Sequence, residues 1–160
     1  MKSEHPKQKE LHQEIDWVRP HIESETGEIE RVATIISGSD NQQSPHYKET
    51  FLEIIHAIAK AHLEELPDDT WSALENTDSY HEVRPGHIED VQKLAEKYNK
   101  DWRLLLDAIQ HNTPIQAPII LIKEDGVPYL VAGNTRLAIA RALEARVKAL
   151  ISHLKQPKKP

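Results

Sequence analysis

The chain has 160 residues, of which 38% are hydrophobic and 29% charged, and its formal net charge at pH 7 is −6, as expected for one polar domain with a substantial core. The absence of cysteine excludes disulfides, thiolate metal sites and thiol catalysis. No apolar run approaches the roughly 20 residues of a membrane helix, and the start lacks a signal-peptide core, so we expect a cytoplasmic protein without a membrane partner.

One long helix is predicted in the first half of the chain. Residues 1–14 are polar and rich in lysine and glutamate, which predicts a disordered tail. "RVATIIS" (31–37) fits a helix or a strand equally well, and 37–45 has the composition of a loop. From 47 to 66, apolar residues recur at three- and four-residue spacings, and Pro67 ends this predicted helix.

A short capped helix is predicted next, in "PDDTWSALENTDSY" (67–80). Its N-cap is Asp68 or Asp69, and Trp71 and Leu74 face inward.

Two more helices precede a change to β-structure. They cover 86–100 and 101–112, with Asp101 as the N-cap of the second. "APIILIKEDGVPYLVAG" (117–133) then contains two β-rich runs around an Asp-Gly pair, which indicates a hairpin.

The C-terminal part predicts a helix from 134 to about 144 and a third strand in "RVKALISHL" (146–154). We therefore predict an α+β fold, mostly helical over the N-terminal two-thirds and followed by a small mixed sheet. The predicted organisation is a tail (1–14), one domain (15–154, with a helical part at about 47–111 and a β-rich part at about 112–152) and a basic tail (155–160).

The turn "GNTR" (133–136) between the hairpin and the last helix is unusual. Gly133, Asn134 and Thr135 suit a tight turn and a helix N-cap. Arg136 stands in the first helical turn, where the helix dipole favours anions rather than cations. Arg136 is therefore either a solvated surface residue or faces a negative group.

The hairpin, "AGNTRLAIARALEA" (132–145) and the closing strand resemble the ParB/sulfiredoxin superfamily. There an apolar strand leads into Gly-x-x-Arg, a helix with small residues and another strand; the turn is typically Gly-Glu-Arg-Arg in ParB-type proteins and Gly-Cys-His-Arg in sulfiredoxin. The chain also resembles stand-alone phage and bacterial proteins that have a similar Gly-Asn-Thr-Arg stretch. The resemblance covers about 112–152, a quarter of the chain.

This resemblance implies a nucleotide, such as ATP, ADP or CTP with Mg²⁺, bound at Gly133, Asn134, Thr135 and Arg136. Helix N–H groups and a guanidinium are both suited to phosphate. The alternative is that Arg136 pairs with a protein carboxylate such as Glu124 or Asp125. If Arg136 contacts the nucleotide, Arg136→Ala should lose the ligand and keep the fold, because an exposed arginine contributes little stability.

A catalytic role is implied by the same resemblance, since related stand-alone members include a free-serine kinase with an acid on the helical side of its cleft. By analogy Glu75, Asp78 or Glu82 is a candidate general base for a nucleotide hydrolase or phosphotransferase. The alternative for 74–80 is a helix end followed by an Asx or Ser/Thr turn. Asp125 is a candidate Mg²⁺ ligand, or serves only the backbone of the hairpin tip.

Departures from the family limit these expectations. Asn134 replaces the cysteine that sulfiredoxin chemistry needs, so reductase activity is excluded. Partition ParB proteins carry a helix-turn-helix after this domain and commonly a second motif, Glu-Asn-x-x-Arg. Glu75-Asn76 matches the first two letters without the arginine, and little chain follows the motif before Pro160. We therefore do not expect a sequence-reading DNA clamp.

The charge is distributed unevenly along the chain. Residues 136–160 contain seven basic side chains against Glu144. This segment is either a solvated face with a basic tail, or a surface that binds nucleic acid or a protein partner in a phage or plasmid accessory factor. The net charge disfavours nonspecific nucleic-acid binding, and the sequence does not predict an oligomeric state.

The ten histidines predict no metal site. His56 and His62 are six residues apart, about 600° of helical rotation, so they would face different sides of one helix. Glu53 and His56 are neighbours without an evident third ligand. "SYHEVRPGH" (79–87) gathers further candidate functional residues on a predicted loop. These are His81, Glu82, Arg84 and His87.

Overall fold

The computed structural model describes residues 14–77, 83–98 and 102–154. These ranges contain six α-helices, a 3-10 helix and six strands, which confirms the α+β class. Residues 1–13 of the predicted N-terminal tail (1–14), the predicted basic tail (155–160) and the predicted N-cap Asp101 lie outside the described residues.

Helices occupy most of the first half of the described chain. They are α1 (Thr26–Ser37), α2 (Pro45–Lys60), α3 (Asp68–Ala73), α4 (Ile88–Tyr98), α5 (Trp102–Gln110) and α6 (Asn134–Ala142), with the 3-10 helix Ile22–Glu25 before α1. The strands are β1 (Trp17–Val18), β2 (His62–Glu65), β3 (Ile115–Gln116), β4 (Ile119–Ile122), β5 (Pro128–Ala132) and β6 (Lys148–His153).

Four strands form a mixed sheet in the order β2-β6-β4-β5. β4 and β5 are the predicted antiparallel hairpin, and β6 is the predicted third strand. The chain crosses from β5 through α6 to β6, which lies parallel to β4 on the side away from β5. β1 and β3, which the sequence did not predict, pair in parallel as a separate two-stranded sheet.

The strands β4 and β5 and the middle of β6 are buried on both faces of the sheet, whereas the edge strand β2 is largely exposed. Successive side chains of a strand point to opposite faces. Ile119 and Leu121 of β4 belong to a core cluster with α1 and α2. Ile120, between them, belongs to a second cluster with side chains of α4, α5 and α6. The apolar run of β4 therefore serves two cores, as expected for a central strand.

The predicted helix 47–66 was too long: α2 ends at Lys60 and the next residues form β2. Ala61 is extended (φ −74°, ψ 157°), and β2 pairs antiparallel with β6. Arg19 stabilises the helix end by donating to the carbonyls of Ile58 (3.1 Å), Ala59 (3.1 Å) and Ala61 (2.6 Å). The last carbonyls of α2 are therefore capped by Arg19, a residue distant in sequence, and not by a local stop signal.

The structure also resolves two local predictions, the conformation of 31–37 and the N-cap of α3. The ambiguous 31–37 segment is the end of α1, which buries Ile29, Val32 and Ala33. The N-cap of α3 is Pro67, not Asp68 or Asp69, and no side chain caps it. The inward orientation of Leu74, 4% exposed, is confirmed.

None of the helices in the described ranges has the length and apolar composition needed to span a lipid bilayer.

Candidate functional site

The β5–α6 turn brings the backbone of Gly133 against Pro118, the residue before β4. Gly133 is the N-cap of α6 with φ 112° and ψ 20°. A β-carbon there would lie 2.8 Å from Pro118 Cβ and 2.9 Å from Pro118 Cα. Only glycine combines this positive φ with so close an approach.

A cleft of about 760 Å³ opens at this turn, and all four residues of the predicted phosphate site line it. The rest of its lining comes from the end of the 3-10 helix, the first half of α1, the residues after α3, the middle of α5 and the end of β5. The complete lining is Glu25, Glu28, Arg31, Asn76, Leu104, Leu105, Ala108, Leu130, Val131, Ala132, Gly133, Asn134, Thr135 and Arg136.

Arg136 is largely buried and already bound to protein atoms. Its Nη1 donates to the carbonyl of Gln116 at 2.7 Å. Its Nη2 lies 3.1 Å from Oε2 of Glu25, and each side chain of this ion pair is 16% exposed. The partner is thus neither Glu124 nor Asp125, and the expectation of an exposed arginine was wrong. Glu25 is 111 residues away in sequence, too far for any local pattern to indicate it.

A second arginine in the cleft, Arg31 of α1, was missed by sequence reasoning. Its Nε donates to Glu28 Oε1 at 3.2 Å, and its side chain is 51% exposed. Its Nη1 lies 3.4 Å from Oδ1 of Asn76, from which it is separated by 45 residues. The sequence around Asn76 lacks the arginine of the family's second motif, but helix α1 places Arg31 beside it.

Of the three candidate general bases, Glu75 is the one that lies in the described part of the chain. Its backbone pairs with β5 at the edge of the sheet. Its N–H donates to the carbonyl of Pro128, and its carbonyl accepts from Leu130, each at 2.9 Å. Its carboxylate accepts from Lys123 Nζ at 3.3 Å and is 54% exposed. Glu75 is not among the described residues that line the cleft. The other two candidates, Asp78 and Glu82, lie outside the described residues.

The Asp125 side chain serves the hairpin turn. Its Oδ1 accepts from the N–H of Val127 at 3.0 Å, which is the backbone role expected at a hairpin tip. Within the described part of the chain, no three His, Asp or Glu side chains are grouped so as to hold a metal ion. Of the two histidines weighed as ligands, His62 lies in β2 rather than on the helix of His56.

The described part of the candidate loop, 83–87, contacts the start of α4, and none of these five residues lines the cleft. The Arg84 guanidinium forms a bidentate salt bridge with the Asp90 carboxylate, at 2.8 Å (Nε–Oδ2) and 3.0 Å (Nη2–Oδ1). His87 Nδ1 lies 2.8 Å from Oε2 of Glu89. These contacts order the start of α4, and His81 and Glu82 lie outside the described residues.

Asp90 should make the stability of the protein sensitive to acid. The hydrogen bonds donated by Arg84 hold the pKa of this carboxyl well below its usual range. The unfolded chain binds a proton here below about pH 4, while the folded chain resists protonation, so this stabilisation is present at neutral pH and lost as pH falls through the folded pKa.

We expect the free energy of unfolding of the wild type to fall more steeply from about pH 4 to about pH 2 than that of Asp90→Asn, which lacks the titrating group. Urea unfolding across this range measures both slopes. Asp40→Asn, in the loop before α2, is the control and should follow the wild type. Parallel profiles for the wild type and Asp90→Asn would contradict the assignment.

The predicted basic face is mixed in charge where the structure describes it. Arg141 Nε donates to the carbonyl of Val83 at 2.6 Å. Arg146 borders a hollow that is also lined by Glu65, Asp68 and Glu144. Lys148 stands opposite Glu65 in the sheet. These acids reduce the positive potential that binding nucleic acid would require.

In comparisons with known proteins, no family model matches the chain, and no curated protein or solved structure matches it significantly. The ParB/sulfiredoxin resemblance stays a prediction from the sequence.

Proposed function

We propose that the protein binds a nucleotide in the cleft, with its phosphates at the start of α6. The observation that carries this proposal is that Gly133–Arg136 and Arg31 line the same space of about 760 Å³. N–H groups in the first turn of a helix have no partner within the helix and attract anions. The volume lies within the range of roughly 300–1,000 Å³ that is typical of small-molecule sites.

Arg31, rather than Arg136, is the arginine that reaches the phosphates in this proposal. Both Nη atoms of Arg136 are engaged by Gln116 and Glu25, so Arg136 positions the turn. Arg31 is half exposed, and its pair with Glu28 is equally exposed, so this pair is weak and easily exchanged for a phosphate.

The two glutamates in the cleft favour a nucleotide that arrives with Mg²⁺. Glu25 and Glu28 neutralise Arg136 and Arg31 in the structure, and a free polyphosphate would meet their carboxylates. Mg²⁺ is typically held by phosphates, one or two carboxylates and water. The cation therefore offsets the repulsion between the phosphates and these side chains.

Binding, not catalysis, is what this geometry supports. The described carboxylates of the cleft, Glu25 and Glu28, are each paired with an arginine, and Glu75 is paired with Lys123. Hydrolysis or phosphate transfer remains a prediction of the family resemblance.

Thermal unfolding with ATP, ADP, CTP or GTP plus Mg²⁺ tests the proposal. A nucleotide at about 100 times its dissociation constant adds roughly 2.7 kcal/mol of stability, which raises the Tm by several degrees. We expect such a shift for at least one nucleotide in the wild type, and its loss in Arg31→Ala. Arg146→Ala, which removes an exposed arginine outside the cleft, should keep it.

The absence of a shift with all four nucleotides would refute the proposal. A shift that survives in Arg31→Ala but disappears in Arg146→Ala would instead support the alternative, an accessory module that binds nucleic acid or protein through the C-terminal basic face. In that case, the affinity for nucleic acid should fall steeply with salt.

A further inference from the structure

The cleft has an apolar wall as well as polar residues. Leu104, Leu105 and Ala108 of α5 line it together with Leu130. Leu104 is 68% exposed, more than Leu52 (53%) or Ile35 (50%). A single exposed leucine is ordinary on a protein surface. An exposed leucine that continues an apolar wall inside a cleft marks a surface that a ligand can cover.

This wall is built by the two-sided character of α5. Ile109 is 1% exposed and packs in the core on the sheet face that also buries Leu130. Leu105 and Ala108 are partly buried against the same core. Leu104 therefore projects from the half of the helix that the core does not use, and its position on the cleft leaves its side chain in contact with water.

The polar residues of the cleft lie on the other elements. Arg31 and Glu28 come from α1, Asn76 from the segment after α3, and Thr135 from the start of α6. The space is thus lined both by aliphatic side chains and by hydrogen-bonding groups. A ligand that uses the whole cleft has an anionic part and a separate apolar part with a polar edge.

We propose that the α5 wall binds the base of the nucleotide, so that the ligand of this cleft is a nucleoside phosphate and not a simple polyphosphate; this inference rests on the proposed function. A nucleobase has flat apolar faces and a hydrogen-bonding rim. One face covers Leu104 and Leu105 while the rim meets Asn76. An alkyl chain would need apolar surroundings on all sides, which this cleft does not provide.

Calorimetric titration with Mg²⁺-tripolyphosphate and with the Mg²⁺ triphosphates of adenosine, cytidine and guanosine tests the role of the base. In the wild type, at least one nucleoside triphosphate should bind about tenfold more tightly than tripolyphosphate, the difference expected for burying an apolar group of this size. Leu104→Ser should weaken that nucleotide by about fivefold to tenfold and leave tripolyphosphate unchanged. Leu52→Ser, at an exposed leucine beside a different hollow, is the matched control and should change neither affinity.

The outcomes separate this inference from the proposed function. Equal affinities for tripolyphosphate and all three nucleotides, or an equal loss of both classes in Leu104→Ser, would overturn the base site and leave phosphate binding intact. Tighter binding of decyl phosphate than of any nucleotide would also overturn it, by identifying the apolar moiety as an alkyl chain. No binding of tripolyphosphate or nucleotide would remove the proposed function together with the inference built on it.

Discussion

Gly133→Ala should destabilise the protein strongly. Holding a non-glycine residue at φ 112° costs roughly 1–3 kcal/mol. The new β-carbon would also lie 2.8 Å from Pro118 Cβ and 2.9 Å from Pro118 Cα, and overpacking of this kind costs about another 1–3 kcal/mol. Pro118 leads directly into β4, whose neighbours on both sides are β6 and β5. Relief of the contact would therefore disturb the centre of the sheet.

Urea unfolding of three glycine variants separates the contact from the backbone strain. Gly126 also has a positive φ, 86°, but a β-carbon there meets nothing within 4 Å, so Gly126→Ala should show the strain alone, roughly 1–3 kcal/mol. Gly27 lies in α1 with open space around it, and Gly27→Ala should stabilise by about 0.4–1 kcal/mol. If Gly133→Ala and Gly126→Ala lose the same stability, the close approach to Pro118 has no energetic consequence.

Arg136→Ala should also destabilise the protein, by about 3 kcal/mol, at the low end for removing one partner of a buried ion pair. Its loss leaves the Glu25 carboxylate without its cation in an environment where the side chain is only 16% exposed. It also leaves the Gln116 carbonyl without the donor that lies at 2.7 Å. A buried group that loses its partner incurs the cost of its own desolvation.

The exposed pair in the same cleft provides the comparison. Arg31 and Glu28 are 51% and 50% exposed, so Arg31→Ala should change stability by about 0–1 kcal/mol. In the double variant Glu25→Gln/Arg136→Ala, the loss should be smaller than the sum of the two single losses, because the removed charges interact. Equal stability of Arg136→Ala and Arg31→Ala would show that the burial of Arg136 is not energetically significant.

This difference decides which variant tests ligand binding. A protein weakened by Arg136→Ala can lose a ligand through its fold alone, whereas the exposed position of Arg31 removes a cleft charge with little effect on the rest. The proposed binding experiment therefore depends on Arg31→Ala. The sequence indicated Arg136 for that purpose because a motif shows which residue types are present and not which atoms already have partners.

Much of the fold could be predicted because its signals are local. The Asp-Gly turn predicted the β4–β5 hairpin, the spacing of apolar residues predicted α2, α4 and α5, and the "GNTR" turn marked the start of α6. β2 was missed because Leu63 fits both a helical and a strand pattern, and pairing with β6 places it in the sheet. β1 and β3 are two residues each, too short to leave a periodic pattern.

The candidate site was likewise predictable only where its features depend on neighbouring residues in the sequence. The sequence by itself determined the turn at Gly133–Arg136, since only short-range chemistry between adjacent residues is needed to begin a helix there. Tertiary structure alone decided that Glu25 neutralises Arg136, that Arg31 lies beside Asn76, and that Leu104 faces the same cleft. These contacts join residues that are far apart in the chain, and they form only when the sheet and helices pack. Side-chain burial and charge pairing arise at that stage, so no local pattern records them.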